Sequence, residues 1–324
     1  MSQGAGEAAS MSQIGSPKRF MAMTTVAPAA SRPTRGQAVV IAAVGLTVAL
    51  WASAFVAIRY ADRQLSPGAL ALGRLLVGTV VLGLFVLARR EPLPRRRELL
   101  GIAVCGVLWF GVYNVSLNAA ETRIDAGTAA MLVNVGPILI AIFAGWLLHE
   151  GFPPRLFAGC LVSFAGAVVI GIASSRHGLH ESVGAILCIV AAFAYAGGVV
   201  AQKPVLRHVS PLTVTWLACT IGAVSCLPYS GSLVHGLAHA RTSTVAWMIY
   251  LGAAPTAIGF VTWAYALART TAGRMGSTTY LVPPLALLFG WAFLAEVPPL
   301  LVLPGGALCL AGVAVARTRG RRAR

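Results

Sequence analysis

Charge is scarce in this chain, and acidic charge scarcest. Nine Asp and Glu occur in 324 residues, and charged residues of both signs make up only 10% of the sequence. Soluble domains carry about 25%, so the composition excludes a water-soluble globular protein. Cysteine is also used sparingly. Cys105, Cys160, Cys188, Cys219, Cys226 and Cys309 all lie inside apolar stretches, with no CxxC spacing and no paired loop positions. That pattern speaks against a disulfide framework or a metal centre and for small residues facing lipid or core. The formal net charge of +16 does not indicate a nucleic-acid partner, because the basic residues sit in short runs between apolar segments, where membrane topology accounts for them.

What is present is apolar sequence, 57% of the chain. A bilayer core is spanned by about 20 apolar residues. That ruler predicts an all-α integral membrane protein with ten transmembrane helices near 37–58, 68–88, 99–119, 125–148, 154–173, 182–202, 211–229, 245–268, 272–295 and 299–316. Short loops separate them, most marked by Pro or Gly. Residues 1–36, rich in Ser, Ala, Gly and Pro, read as a disordered tail; they hold no apolar core of the kind a cleaved signal peptide needs. Residues 317–324 form a basic tail. With the N-terminus in the cytoplasm, 19 Lys and Arg fall inside and 5 outside, with Arg74 left within the second helix. The positive-inside rule therefore predicts that both termini are cytoplasmic.

The two halves repeat. Trp51-Ala52-Ser53-Ala54-Phe55-Val56-Ala57-Ile58-Arg59, then Ser66-Pro67, returns at an offset of 144 as Tyr195-Ala196-Gly197-Gly198-Val199-Val200-Ala201-Gln202-Lys203, then Ser210-Pro211. Ala126-Gly127, Pro137, Glu150, Pro153, Gly159 and Gly166 return at an offset of 146 as Ala272-Gly273, Pro283, Glu296, Pro299, Gly305 and Gly312. Five helices per half put the second half, residues 182–316, upside down relative to the first, residues 37–173. Such inverted repeats are the usual signature of carriers that rock about a central site.

The first-half run from Trp51 to Arg59, Ser66-Pro67, Arg74, Ala126-Gly127-Thr128-Ala129-Ala130, Pro137 and Trp146-Leu147-Leu148-His149-Glu150 resembles an EamA-type transporter of the drug/metabolite transporter superfamily. The resemblance covers about residues 37–316. It implies two inverted five-helix EamA repeats and a multi-pass carrier of the bacterial inner membrane, often an exporter of amino acids or related metabolites. Its partners would be the lipid bilayer and a small-molecule solute, with no cofactor. One departure is that the family's Gly-Glu turn reads His149-Glu150 here and Ala295-Glu296 in the second half.

Every carboxylate (Glu7, Asp62, Glu91, Glu98, Glu121, Asp125, Glu150, Glu181 and Glu296) falls in a tail, in a loop or at a predicted helix end. A cation–proton antiporter needs an intramembrane carboxylate that either ion can occupy. The solutes that remain are zwitterionic, neutral or anionic, and a coupling proton would have to use a helix-end carboxylate. Arg74 is the one charge well inside a predicted helix, placed either to meet a substrate carboxylate or to snorkel outward. Trp51, Tyr113, Asn114, Asn118, Asn134, Tyr195, Trp263, Tyr265, Thr279 and Tyr280 are the polar and aromatic helix residues that belong in a wet cavity or a helix–helix contact rather than in lipid. Asn114 and Asn118 share a helix face.

Pro137, Pro255, Pro283 and Pro284 each remove a helical hydrogen bond and mark sites of bending or static kinks. Glu150 and Glu296 are symmetric helix-end carboxylates, read either as gates or as caps of the helix that follows near Pro153 and Pro299. His235 and His239 have i, i+4 spacing but no third ligand, so no metal site is expected. Rival readings are a drug or phosphorylated-metabolite exchanger, which would need a denser basic cluster, and an integral-membrane enzyme, which would need paired carboxylates, clustered His or an activated nucleophile at one depth. A monomer and a homodimer both fit.

Overall fold

The computed structural model describes residues 34–123, 132–174, 182–294, 300 and 302–317. Among them there is helix and no strand. The helices are α1 (Arg35–Ala61), α2 (Pro67–Arg89), α3 (Arg96–Glu121), α4 (Gly136–Leu147), α5 (Pro154–Ser174), α6 (Ser182–Val205), α7 (Pro211–Ser225), α8 (Ser230–His239), α9 (Thr242–Ala268), α10 (Ala272–Ser277), α11 (Val282–Leu294) and α12 (Val302–Arg317). Five helices are long and apolar enough to cross a membrane: α1, α2, α3, α9 and the Val183–Val205 stretch of α6. A sixth span results if the bent pair α7–α8, angled by 54°, counts as one. Leu84, Leu87, Leu100, Trp146, Ile172 and Leu303 stand exposed on the outer faces, the surface a hydrocarbon environment covers.

Local chemistry sets the helix starts. Thr34 and Gln37 form a capping box at α1, so helix begins at Arg35, inside the segment expected to be a disordered tail. Ser66 accepts from Ala69 N with Pro67 in the first turn, and Ser210 does the same for Thr213 N with Pro211. These two starts are repeat equivalents.

Three segments differ from the sequence-based expectation. The helix predicted over 125–148 is interrupted by a turn at Asn134–Val135, and the one over 272–295 by a 3-10 turn at Thr278–Leu281. Pro137 and Pro283–Pro284 therefore begin helices rather than bend them, since a first-turn proline lacks only an N–H that has no helical partner anyway. The third is the segment after α7: His235 and His239 lie on α8, not in a loop, with His239 Nδ1 2.9 Å from His235 O.

The duplication is visible in the packing. Gly159 of α5 meets Gly312 of α12, and Gly166 meets Gly305; a Cβ on any of the four would fall 2.5–2.9 Å from the facing glycine's carbonyl oxygen. Ser163 Oγ donates to Cys309 O (3.0 Å) while Cys309 Sγ approaches Ser163 O (3.4 Å). These repeat-equivalent helices thus run antiparallel against each other. A π-helical segment also interrupts α3 at Gly106–Val112 and α9 at Gly252–Ile258, again 146 apart. Gly106 packs against the Ala218 carbonyl of α7, and Gly252 against the Arg74 carbonyl of α2, the equivalent position.

Candidate functional site

A cavity of about 110 Å³ lies between the halves. It is lined by Trp51, Ala54, Phe55 and Ile58 of α1, Arg74 of α2, Trp109, Tyr113, Asn114, Leu117 and Asn118 of α3, and Tyr195 of α6. Val133, Asn134 and Pro137 come from the broken helix around α4, and Phe260, Thr279, Val282 and Pro283 from the second half. The α1 and α3 residues all come from the C-terminal halves of those helices, so the cavity is displaced toward that end of the bundle.

Arg74 is 6% exposed, so it does not snorkel. Its Nε donates to Thr256 Oγ1 at 3.0 Å, in the π segment of α9. The Arg97–Glu98 ion pair (3.0 Å) lies at the start of α3 and does not involve Arg74. Arg74 therefore enters the cavity wall as a buried cation with no carboxylate in contact. Burying a guanidinium without a partner is costly, and the arrangement leaves its charge available to an anionic group in the cavity. Glu121, at the end of α3, has a buried Oε1 without a hydrogen-bond partner and Arg59, Asp62 and Arg74 as its charged neighbours.

The two asparagines are positioned by backbone carbonyls. Asn114 Nδ2 donates to Phe110 O (2.9 Å) and Trp109 O (3.3 Å), both inside the first π segment, whose i→i+5 pattern leaves those carbonyls reachable. Asn118 Nδ2 donates to Pro67 O at the start of α2 (3.1 Å), which ties α3 to α2.

Aromatic rings close the cavity's inner end. Trp51 stacks on Trp263 with ring centroids 5.0 Å apart, and its Nε1 donates to Pro255 O (3.3 Å). Trp109 contacts Trp51, Tyr195, Phe260 and Trp263 within 6.0 Å. Tyr195, the repeat equivalent of Trp51, lines the cavity with its hydroxyl buried on the Thr279 side.

Eight of the sequence candidates meet here: Trp51, Arg74, Tyr113, Asn114, Asn118, Asn134, Tyr195 and Thr279, together with Pro137 and Pro283. Three do not. Trp263 lies beneath Trp51, fully buried. Tyr265 faces away, its ring 3.6 Å from Arg269 Cζ. Tyr280 donates to Asn134 O (3.0 Å), the carbonyl freed by the break before α4, and packs with α5 and α12. Pro255 acts through its carbonyl, and Pro284 lies outside the lining. Trp109, Phe260, Phe55 and Val282 were missed; an i, i+4 pairing of Trp109 with Tyr113 was the available signal for the first.

At the opposite end, Glu150 does not cap the helix that follows it. Its Oε1 accepts from Ala272 N (2.9 Å) and its Oε2 from Gly273 N (3.3 Å), so it caps α10 of the other half. His149 and Gly151 take positive φ values of 56° and 75°, which turn the carboxylate away from α5. Beside it Lys203 Nζ donates to Leu267 O (2.6 Å) and Thr270 O (2.5 Å) at the end of α9. Both side chains thus pin the α9–α10 connection. Glu296 lies outside the described residues.

The EamA-like transporter family pattern matches this chain twice, over residues 38–172 and 182–318. The chain is 40% identical over 281 residues to a probable terminal-alkyne amino-acid exporter of Streptantibioticus cattleyicolor, covering 86% of this chain and 93% of that protein. It is 30% identical to the uncharacterized transporter YdfC of Bacillus subtilis, covering 83% and 87%. It is 26% identical to a probable amino-acid metabolite efflux pump of Salmonella typhimurium, covering 83% and 91%. A solved crystal structure with 21% identity superposes with a TM-score of 0.71 over 86% of this chain and 98% of its own, which shows a shared fold.

Proposed function

The chain belongs to the EamA-like transporter family and is a multi-pass membrane protein, and on that premise we propose that it exports a small amino-acid-like metabolite by alternating access. The observation that carries this reading is Arg74, a buried guanidinium without a carboxylate in contact, in the wall of a cavity otherwise apolar and amide-lined. An amino acid supplies what that wall lacks. Its carboxylate meets Arg74 in a charge-assisted hydrogen bond, and an apolar side chain lies against Trp51, Trp109 and Phe260. Relatives named as amino-acid exporters support the same class of solute.

In this reading the ten predicted segments form two inverted halves, an arrangement supported by the antiparallel packing of α5 against α12. The basic-residue count supports cytoplasmic termini, and the family resemblance supports a bacterial inner membrane. The cavity then faces outward, while the Glu150 and Lys203 contacts hold the cytoplasmic end closed. A phosphorylated solute fits less well, because Arg74 is the one cation among the described residues lining the cavity.

The test is uptake and efflux of L-propargylglycine, L-norvaline and L-phenylalanine in proteoliposomes. Wild-type chain moves at least one of them. Arg74→Ala weakens apparent affinity roughly 10- to 150-fold, the range for losing a hydrogen bond to a charged group, at unchanged expression and thermal stability. Equal transport by wild type and Arg74→Ala refutes the assignment.

A further inference from the structure

Among the described residues, Gln202 Nε2, Gln202 Oε1 and Trp263 Nε1 are buried side-chain atoms with no hydrogen-bond partner. Gln202 and Trp263 are fully buried. An unsatisfied buried polar group is destabilising, so a fully orphaned amide and an orphaned indole N–H in one protein require a reason.

The repeat supplies one. At an offset of 144, the α1 cavity residues Trp51, Ala54, Phe55 and Ile58 correspond to Tyr195, Gly198, Val199 and Gln202 of α6. At the offset of 146 shared by the two π segments, the α3 cavity residues Tyr113, Asn114, Leu117 and Asn118 correspond to Gly259, Phe260, Trp263 and Ala264 of α9. Gln202 stands where Ile58 lines the open cavity, and Trp263 where Leu117 does. An inverted repeat exchanges the conformations of its halves when it turns over, so the side chains buried at these equivalent positions become the wall of the cavity that opens at the other end. Gln202 lies two helical turns beyond Tyr195, about 10 Å further along α6. Its neighbour Lys203 is one of the two side chains that pin the α9–α10 connection.

We propose that Gln202 and Trp263, joined by Tyr195, which also lines the cavity seen here, are the polar lining of a second solute site, which forms when the bundle opens at the Lys203–Glu150 end and takes the same amino-acid-like solute through neutral hydrogen bonds. The chemistry of the two ends then differs. The cavity seen here offers a cation, whereas its counterpart offers an amide and an indole N–H, with Ala218 in place of Arg74. Gln202 meets the solute's polar groups as both donor and acceptor. The inference rests on the alternating-access reading above.

Two experiments on the full chain in sealed vesicles test it. Gln202→Cys is exposed to a membrane-impermeant maleimide from each face, with wild-type chain in parallel, whose six cysteines are buried. The expected result is modification from the Lys203 face alone, accelerated about tenfold in the background of Glu150→Gln, the change that removing about 1.4 kcal/mol of closure would give. No modification from that face, or modification from the cavity face, overturns the proposal. Gln202→Leu keeps the volume but removes the amide. It should leave the thermal midpoint equal or higher and slow transport of L-propargylglycine at least about tenfold. Wild-type transport rates in Gln202→Leu overturn the assignment. Modification needs no solute: a chain that labels as expected but moves no amino acid refutes the export reading and leaves the second path standing.

Discussion

The two halves share a scaffold and differ at the site. Equivalent helix starts carry the same Ser-Pro cap at Ser66 and Ser210, equivalent π segments interrupt α3 and α9, and equivalent glycines pack α5 on α12. Yet Arg74, Asn114 and Asn118 of the first half correspond to Ala218, Phe260 and Ala264 of the second. The polar side of the cavity thus comes from one half and much of its aromatic floor from the other. Under the proposed alternating-access reading, symmetry lets two states have similar energies, and asymmetry makes the binding chemistry of those states unequal, which is what a carrier needs to take up a solute at one face and release it at the other.

The scaffold part of this comparison can be broken with the largest effect. Gly166→Val and Gly312→Val each force a side chain onto the backbone of the facing helix. Overpacking of this kind costs about 1–3 kcal/mol or more, and with backbone as the obstacle we expect loss of most folded protein. The two variants should be equally harmful, read as monodisperse yield in detergent. A tolerated substitution at one and not the other would show that the halves do not share this interface evenly.

The site part is sharpened by moving the charge. Ala218→Arg in the Arg74→Ala background places the guanidinium at the equivalent position, against Gly106. It should not restore affinity, leaving the roughly 10- to 150-fold deficit in place, because the carbonyl-anchored Asn114 and Asn118 have no counterpart there. Recovery of transport would mean that charge alone, in either half, suffices.

The smallest effect belongs to the closed end. Glu150→Gln keeps an acceptor for α10 but loses its charge, and Lys203→Met removes donors to the end of α9. Each should lower stability by about 1 kcal/mol, the usual worth of a helix cap, visible as a fall of about 1–2 °C in thermal midpoint for a chain of 324 residues. A single variant that lowers the midpoint by more than ten such degrees would show that the contact holds the fold and not only this conformation.

Much of this was legible in the chain. Scarce charge and long apolar runs lead to a membrane bundle because burying ionised groups in hydrocarbon is too costly to be common. The 144- and 146-residue offsets identify the repeat, and polar residues within apolar helices identify most of the cavity, since amides and a guanidinium must find an interior. What the sequence could not decide was partnership across the chain. Glu150 looked like a cap for its own neighbour, and only the folded turn at His149–Gly151 sends it to α10. Trp263 and Tyr280 carried the same polar-aromatic signal as Trp51, but one ended beneath the cavity and the other behind it. The π segments gave no pattern, because a shift from i→i+4 to i→i+5 depends on how closely Gly106 and Gly252 approach the opposite half. Composition and periodicity fix which residues leave water; which of them face one another, and which are left without a partner, is set by contacts between segments more than a hundred residues apart, and those exist only once the halves have packed.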